Sequence, residues 1–221
     1  MKTRTRERGF TLIELLIAMA ITGIVMGAVY STYYSQQKSY VAQEQIAEAQ
    51  QNLRAALYYL EREIRMAGYD PTGQANAGLV TTNANTIRFT MDLTNNAGTG
   101  GPDGDTGDTN EDVTYSLYTS GGVQMLGRKS PSTAANVPVA SNIDALDFVY
   151  LDDNGAVTAN LANMRAVQIT VVARTSRRDP GYQDTTVYRN QQGTAIYTAA
   201  GDAYRRRVLS AQVRCRNLGL L

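Results

Sequence analysis

The sequence predicts an α+β protein: one long N-terminal helix, apolar enough in its first half to span a membrane, packs its second half on an antiparallel β-sheet head. Three observations carry this. Residues 10–29 form a 20-residue run holding a single charge, Glu14. Apolar residues then recur at helical spacing as far as Ile64, and the pattern meets a stop at Gly68 and Asp70-Pro71. From residue 73 onward the texture changes to short alternating runs separated by Gly, Asn, Asp and Ser, as in strands joined by turns. At 221 residues there is room for an anchor and one globular domain.

The helix comes first. A leader over residues 1–9 carries Lys2, Arg4, Arg6 and Arg8 against Glu7 alone, so the positive-inside rule keeps it on the cytoplasmic side. The run that follows is long enough for a hydrocarbon core of about 30 Å at about 1.5 Å per residue. A secretory signal would place its small cleavage residue after the apolar core. Here Gly9 lies before it and the core continues into more helix, so the anchor is expected to be retained. Tyr30, Tyr33 and Tyr34 mark the exit from the bilayer, and Gly23 and Gly27 form a small-xxx-small pair suited to close helix approach. Residues 10–34 are therefore read as the membrane half.

Residues 35–67 are read as the amphipathic half. Ile46, Leu53, Leu57, Leu60 and Ile64 share one face, with Glu44, Glu48, Arg54, Glu61 and Arg65 at polar positions. Glu61 and Arg65 stand at a favourable i,i+4 spacing. One continuous helix over residues 10–67 would be about 90 Å long, far beyond an ordinary globular helix.

The head spans residues 73–221. Ile87, Phe89 and Met91 alternate on one face of a strand over residues 86–92, as do Val113, Tyr115 and Leu117 in the next run. Ser120-Gly121-Gly122 reads as a hairpin turn into Val123 and Met125. Strands are expected over residues 143–150 and 167–173, the second with Val167, Ile169, Val171 and Ala173 facing one way. A last strand over residues 208–216 puts Ala211, Val213 and Cys215 on one face, which makes Cys215 a small core residue.

Composition removes several function classes. With no His, a Ser-His-Asp triad, a Cys-His pair and every His-ligated metal site are excluded. The single Cys forbids an internal disulfide, and neither a nucleophile–base pair nor a cofactor loop is visible, so no enzyme activity is expected. The formal charge of +1 includes a leader worth +3, leaving about −2 without it, so nucleic-acid binding gains no support.

Glu14 is the residue that needs a reason, because a carboxylate inside an apolar span is costly and calls for a partner cation at the same depth. Arg8-Gly9-Phe10-Thr11-Leu12-Ile13-Glu14-Leu15 resembles the class III signal and N-terminal helix of type IV pilins and type II secretion pseudopilins. The resemblance implies cleavage by prepilin peptidase between Gly9 and Phe10, N-methylation of Phe10, and pairing of Glu14 with the N-terminal amine of a neighbouring subunit. In the head, residues 143–150 and 206–217 resemble PilW-like minor pilins, relatives of the secretion pseudopilin GspJ. This implies a pilin fold and a minor pilin held in the inner membrane with its head outside the cytoplasm. It would take part in priming and capping a type IV pilus at the cell surface. Its implied partners are other minor pilins, the major pilin, the inner-membrane assembly platform and membrane lipid. A secretion pseudopilin has the same N-terminal physics and is the near alternative. Ser31 stands where major pilins often carry a helix-kinking Pro.

Between two predicted strands lies an acidic, glycine-rich loop over residues 95–112. Asp103, Asp105 and Asp108, with Asn110 and Asp112, could wrap a hard cation such as calcium, although the spacing does not fit an EF-hand. A solvated loop with no metal is the plainer reading. If the loop were the active part, the protein would be a membrane-anchored calcium-dependent adhesin. The basic stretch over residues 174–181 and Arg205, Arg206 and Arg207 read as solvated surface.

Overall fold

The computed structural model describes residues 9–95, 100–131, 133 and 135–219. The leader, apart from Gly9, and residues 96–99 of the acidic loop lie outside the described residues. The chain falls into two compact units, Met1–Glu44 and Gln45–Leu221, and a single helix, α1 (Leu12–Ile64, 53 residues), begins in the first and ends in the second.

In the first unit every large apolar side chain of α1 is exposed, from Leu12 to Val41, which suits a segment whose surroundings are lipid or other helices. Tyr30 and Tyr34 stack with ring centroids 6.5 Å apart, and Lys38 Nζ sits 4.5 Å above the Tyr34 ring. A cation next to the aromatic pair agrees with a membrane–water boundary at this depth.

In the second unit the expected stripe is buried at Leu53, Leu57, Leu60 and Ile64, joined by Ala49 and Ala56, while Ile46 at its start is only half-buried. The two alanines belong to the same face but are too small to register in an apolar pattern. Each of the large side chains contributes about 1.5–3 kcal/mol by leaving water. The helix stops three residues short of the expected position. Its last turn tightens to i−3 bonds, Met66 N–H to Glu63 O at 2.9 Å and Ala67 N–H to Ile64 O at 3.1 Å, before Gly68 takes the left-handed conformation at φ 78°. The Gly68 N–H then donates to Thr90 O at 3.0 Å, docking the helix end on the sheet.

The first sheet is an antiparallel meander of β1 (Leu79–Thr82), β2 (Thr86–Thr90), β3 (Asp112–Ser120), β4 (Val123–Lys129) and β5 (Val137–Ser141) in that spatial order. Gly121 (φ 58°) and Gly122 (φ 77°) close the predicted β3–β4 hairpin, since a two-residue turn of the primed type needs positive φ at both positions. The second sheet joins β6 (Ile143–Leu151), β7 (Ala166–Arg174) and β10 (Arg206–Arg214) in the order β10-β7-β6. A small ribbon pairs β8 (Val187–Arg189) with β9 (Ala195–Thr198).

Ile87, Phe89, Val113 and Tyr115 from the meander and Phe148, Val167, Ile169 and Val171 from the second sheet share one core with the helix stripe. Cys215, just past β10, is buried in it, and burial pushes its thiol up to about 12, so it stays a protonated core residue. The Glu61–Arg65 pair does not close. Glu63 is the acid that matters, accepting from Tyr115 OH at 2.8 Å and from Arg128 Nε at 2.9 Å, which ties α1 to β3 and β4.

The other face of the second sheet departs from expectation. The alternation seen in sequence marked only one buried face of β7, yet Val172 and Thr170 on the opposite face are buried as well. A second core of Ala145, Val172, Tyr188 and Ala199 lies there, under the β8–β9 ribbon. Arg206 is part of that layer and is not solvated surface. Its side chain is 0% exposed and holds Asp144 at 2.6 Å, Asp184 at 3.1 Å and Asp202 at 2.6 Å. Arg205 pairs with Asp179 at 2.8 Å, which leaves Arg207 as the exposed member of the three.

Candidate functional sites

Gly9 and Phe10 lie ahead of the first helical turn, and Phe10 is 92% exposed. Thr11 caps the helix: its hydroxyl accepts the Glu14 N–H at 3.3 Å. In return Glu14 Oε2 accepts the Thr11 N–H and the Thr11 hydroxyl, both at 2.8 Å. The first intrahelical bond, Leu15 N–H to Thr11 O, is 3.2 Å. This is a reciprocal capping box, in which two backbone donors that a helix start leaves orphaned are both satisfied. A carboxylate in the first turn also faces the positive end of the helix dipole. A cation is the expected partner of Glu14, but its first partner is Thr11 of the same chain. The sequence signal for it is Thr-x-x-Glu, Thr11 to Glu14, ahead of an apolar run. Among the described residues Glu14 Oε1 accepts no hydrogen bond, so one oxygen is left for a second partner.

The acidic loop is organised by two carboxylates that the sequence reading did not single out. Asp92, fully buried, accepts the backbone N–H groups of Asp103 at 3.2 Å and Gly104 at 3.0 Å. Glu111, also fully buried, accepts from Leu93 N–H and Thr94 N–H at 2.8 Å and from Asp108 N–H at 3.2 Å. Backbone donors aimed at both anions offset the cost of burying them. The loop thus folded brings oxygens of Asp103, Asp105 and Asp108 within 4.8 Å of one another. Asp108 Oδ2 is closed off from solvent without a hydrogen-bond partner. Burial, then the charges of Glu111, Asp103, Asp105 and Asp92, push the Asp108 carboxyl above its ordinary range.

Asp112 leaves the expected ligand set. It forms a bidentate pair with Arg88 across β2 and β3, Nε to Oδ1 at 2.9 Å and Nη2 to Oδ2 at 2.6 Å. Its strand position and its partner both turn it to sheet pairing. Asn110 takes the left-handed backbone, φ 69°, in the turn that delivers Glu111 to the interior. Three carboxylates supply three of the six to eight oxygens that calcium takes, so water or carbonyl groups would have to complete the shell.

Two family descriptions match this chain. The prokaryotic N-terminal methylation motif matches residues 4–30, a span that includes Gly9, Phe10, Thr11 and Glu14. Prepilin peptidase-dependent protein B matches residues 42–192, from the distal helix through β8. The chain belongs to the prepilin peptidase-dependent protein B family. It is a type IV pilin-like protein whose methylation motif opens its apolar helix. A solved structure, a type IV-like pilin from Thermus thermophilus, is similar at 14% identity and a TM-score of 0.46, over 76% of this chain and 97% of that one. No curated protein matches this chain. In this member of the prepilin peptidase-dependent protein B family, β9, Arg206 and all of β10 lie beyond the matched residues.

Proposed function

We propose that this protein is a minor pilin of the PilW type that prepilin peptidase cuts between Gly9 and Phe10, and that it then joins a small complex priming and capping a type IV pilus. The observation that carries the reading is the arrangement at the helix start. An exposed Gly9–Phe10 junction directly precedes a capped helix whose apolar face is bare, and Glu14 keeps Oε1 free for the amine of a neighbouring subunit. Docking would exchange a half-satisfied carboxylate in lipid for an interfacial ion pair. Other minor pilins, the major pilin and the inner-membrane assembly platform are the partners this role requires. Mass spectrometry of the protein recovered from membranes tests it. N-methylated Phe10 is expected as the first residue, and an intact Met1 or a cut after the apolar run would remove the assignment.

A second reading concerns the acidic loop. The buried, partnerless Asp108 Oδ2 beside Asp103 and Asp105 favours weak calcium binding. Calorimetric titration of the full-length protein in micelles is expected to give heat at millimolar calcium. Because the Asp108 carboxyl is raised, protonation competes with the ion and affinity should fall as pH falls toward the carboxylate range. Asp108→Asn should abolish the heat, and titration without heat in the unaltered protein would end this reading.

A further inference from the structure

Two surfaces of the second unit carry charges that the fold leaves unanswered. The first is the side of α1 turned away from the core. Arg54, Tyr58, Arg62 and Arg65 follow one another at spacings of four, four and three, which aligns them on one face of the helix, away from the buried Leu53, Leu57, Leu60 and Ile64. All four are exposed, Tyr58 to 61%. The Tyr58 ring meets Tyr59 edge-on with centroids 5.7 Å apart, so the face presents an aromatic pair flanked by guanidinium groups. Among the described residues none of these three arginine side chains has an ion pair or a hydrogen bond. Of the acids beside them on the helix, Glu63 is taken by Arg128 and Glu61 is half-buried.

The other surface is the acidic loop. Asp92 and Glu111 hold its backbone from inside, which leaves its own side chains at the surface, Asp103 and Asp105 exposed and Asp108 half-buried. Asp105 Oδ1 accepts the Gly107 N–H at 2.8 Å, and Asp108 Oδ2 accepts nothing. Among the described residues no arginine or lysine forms an ion pair with Asp105 or Asp108. Carboxylates gathered within 4.8 Å repel one another, so cations brought to them from outside relieve the repulsion. The scale also fits the helix. Arginines three residues apart on a helix, as Arg62 and Arg65 are, stand about 5–6 Å from each other at their Cβ atoms.

We propose that the acidic loop of one copy of this chain docks on the outer face of α1 in a second copy, setting Asp105 and Asp108 against Arg62 and Arg65 and covering Tyr58. The occupant follows from charge complementarity: the chain displays both halves, in equal number, and within one copy no ion pair joins them. A single exposed ion pair contributes little, so the contact depends on several closing together over an aromatic pair. Arginine and tyrosine are the residue types that most often carry the energy of an interface, while the matched charges fix which surface is chosen. The inference does not rest on processing at Gly9, because both surfaces lie within Gln45–Leu221.

Sedimentation equilibrium of the full-length protein in detergent micelles tests this. Self-association is expected at low salt and should weaken about tenfold as ionic strength rises from about 0.05 M to about 0.5 M, because exposed charge pairs are screened. Arg62→Glu with Arg65→Glu should weaken it about tenfold, and so should Asp105→Lys with Asp108→Lys, since each turns two attractions into repulsions. An equimolar mixture of the two variants should associate again, because the reversed face then meets the reversed loop. Tyr58→Ala keeps every charge in place and should weaken association as well. Should the paired lysines unfold the loop, Asp105→Lys alone, at an exposed position, serves the same comparison. A protein that stays monomeric, or association that survives both reversals, would overturn the proposal. So would loss confined to one reversal, or loss in both without recovery on mixing, since the helix face and the loop would then have separate occupants.

Discussion

Replacing Arg206 with methionine is expected to destabilise the head by about 3–5 kcal/mol, the cost of removing one partner from a buried ion network. The guanidinium bridges three carboxylates from separate parts of the chain: Asp144 on β6, and Asp184 and Asp202 at the two ends of the ribbon segment. Asp184, whose side chain is 0% exposed, also accepts Tyr188 OH at 2.9 Å and Thr186 N–H at 3.0 Å. Burial opposes ionisation of Asp184, but these donors and Arg206 outweigh it and hold the carboxyl below its usual range. Asp202 is held low chiefly by its hydrogen bonds from Arg206. A carboxyl whose folded value is depressed stabilises the fold above the ordinary aspartate value of about 3.9, and that contribution is lost as pH falls through the depressed value. In Arg206→Met the sign reverses for the buried members, which then resist ionisation and cost stability as pH rises. The gap between the two proteins should therefore be widest near neutral pH and close below about pH 4. Urea unfolding in micelles across pH, followed by the near-ultraviolet signal of the 14 tyrosines in a chain with no Trp, gives the comparison. Adding Asp144→Asn and Asp184→Asn to Arg206→Met should recover part of the loss. A change below about 1 kcal/mol at neutral pH would mean the network behaves as an exposed one.

Arg206 also marks where the sequence stopped being legible. The long helix, its buried stripe, the Gly121-Gly122 turn and the inner face of β7 were all visible, because each rests on local spacing or on backbone chemistry of one or two residues. The second core was not. Val172 and Ala145 find Tyr188 and Ala199 only after the ribbon folds back over the sheet, a long-range event with no periodic signature. Three adjacent arginines look alike as text, yet one is buried, one pairs with an aspartate 26 residues away and one is exposed, and strand parity together with the ribbon decides which. The acidic loop shows the same limit. The carboxylates crowded inside the loop were conspicuous, whereas the two that shape it, Asp92 and Glu111, sit at its margins beside strands and are recognised only by the backbone donors they gather. Asp112 reads as a ligand in sequence, and only the β2–β3 pairing brings Arg88, diagonal to it across the strands, within reach.

Glu14→Ala and Glu14→Gln are both expected to be processed at Gly9 and retained in the membrane, yet to lose incorporation into pili at least tenfold when supplied as the sole copy. The pair of variants matters because Glu14 has two jobs to separate. Its Oε2 closes the capping box with Thr11, and its charge is the group proposed to meet a neighbouring amine. Glutamine serves at the third helical position of a capping box as glutamate does, so Glu14→Gln preserves the cap and removes only the charge. Thr11→Ala does the converse, opening the box while leaving the carboxylate. If docking depends on the charge, both Glu14 variants fail and Thr11→Ala still assembles. If the residue matters only as a cap, Glu14→Gln assembles and Thr11→Ala fails along with Glu14→Ala. Immunoblots of sheared pili against the membrane fraction, with the mass of the mature N-terminus checked in each strain, read the difference directly. The helix start makes the first pattern the expected one: the cap occupies one carboxylate oxygen, and an anion left half-satisfied among apolar side chains gains most from a cation brought to the same depth by a second helix.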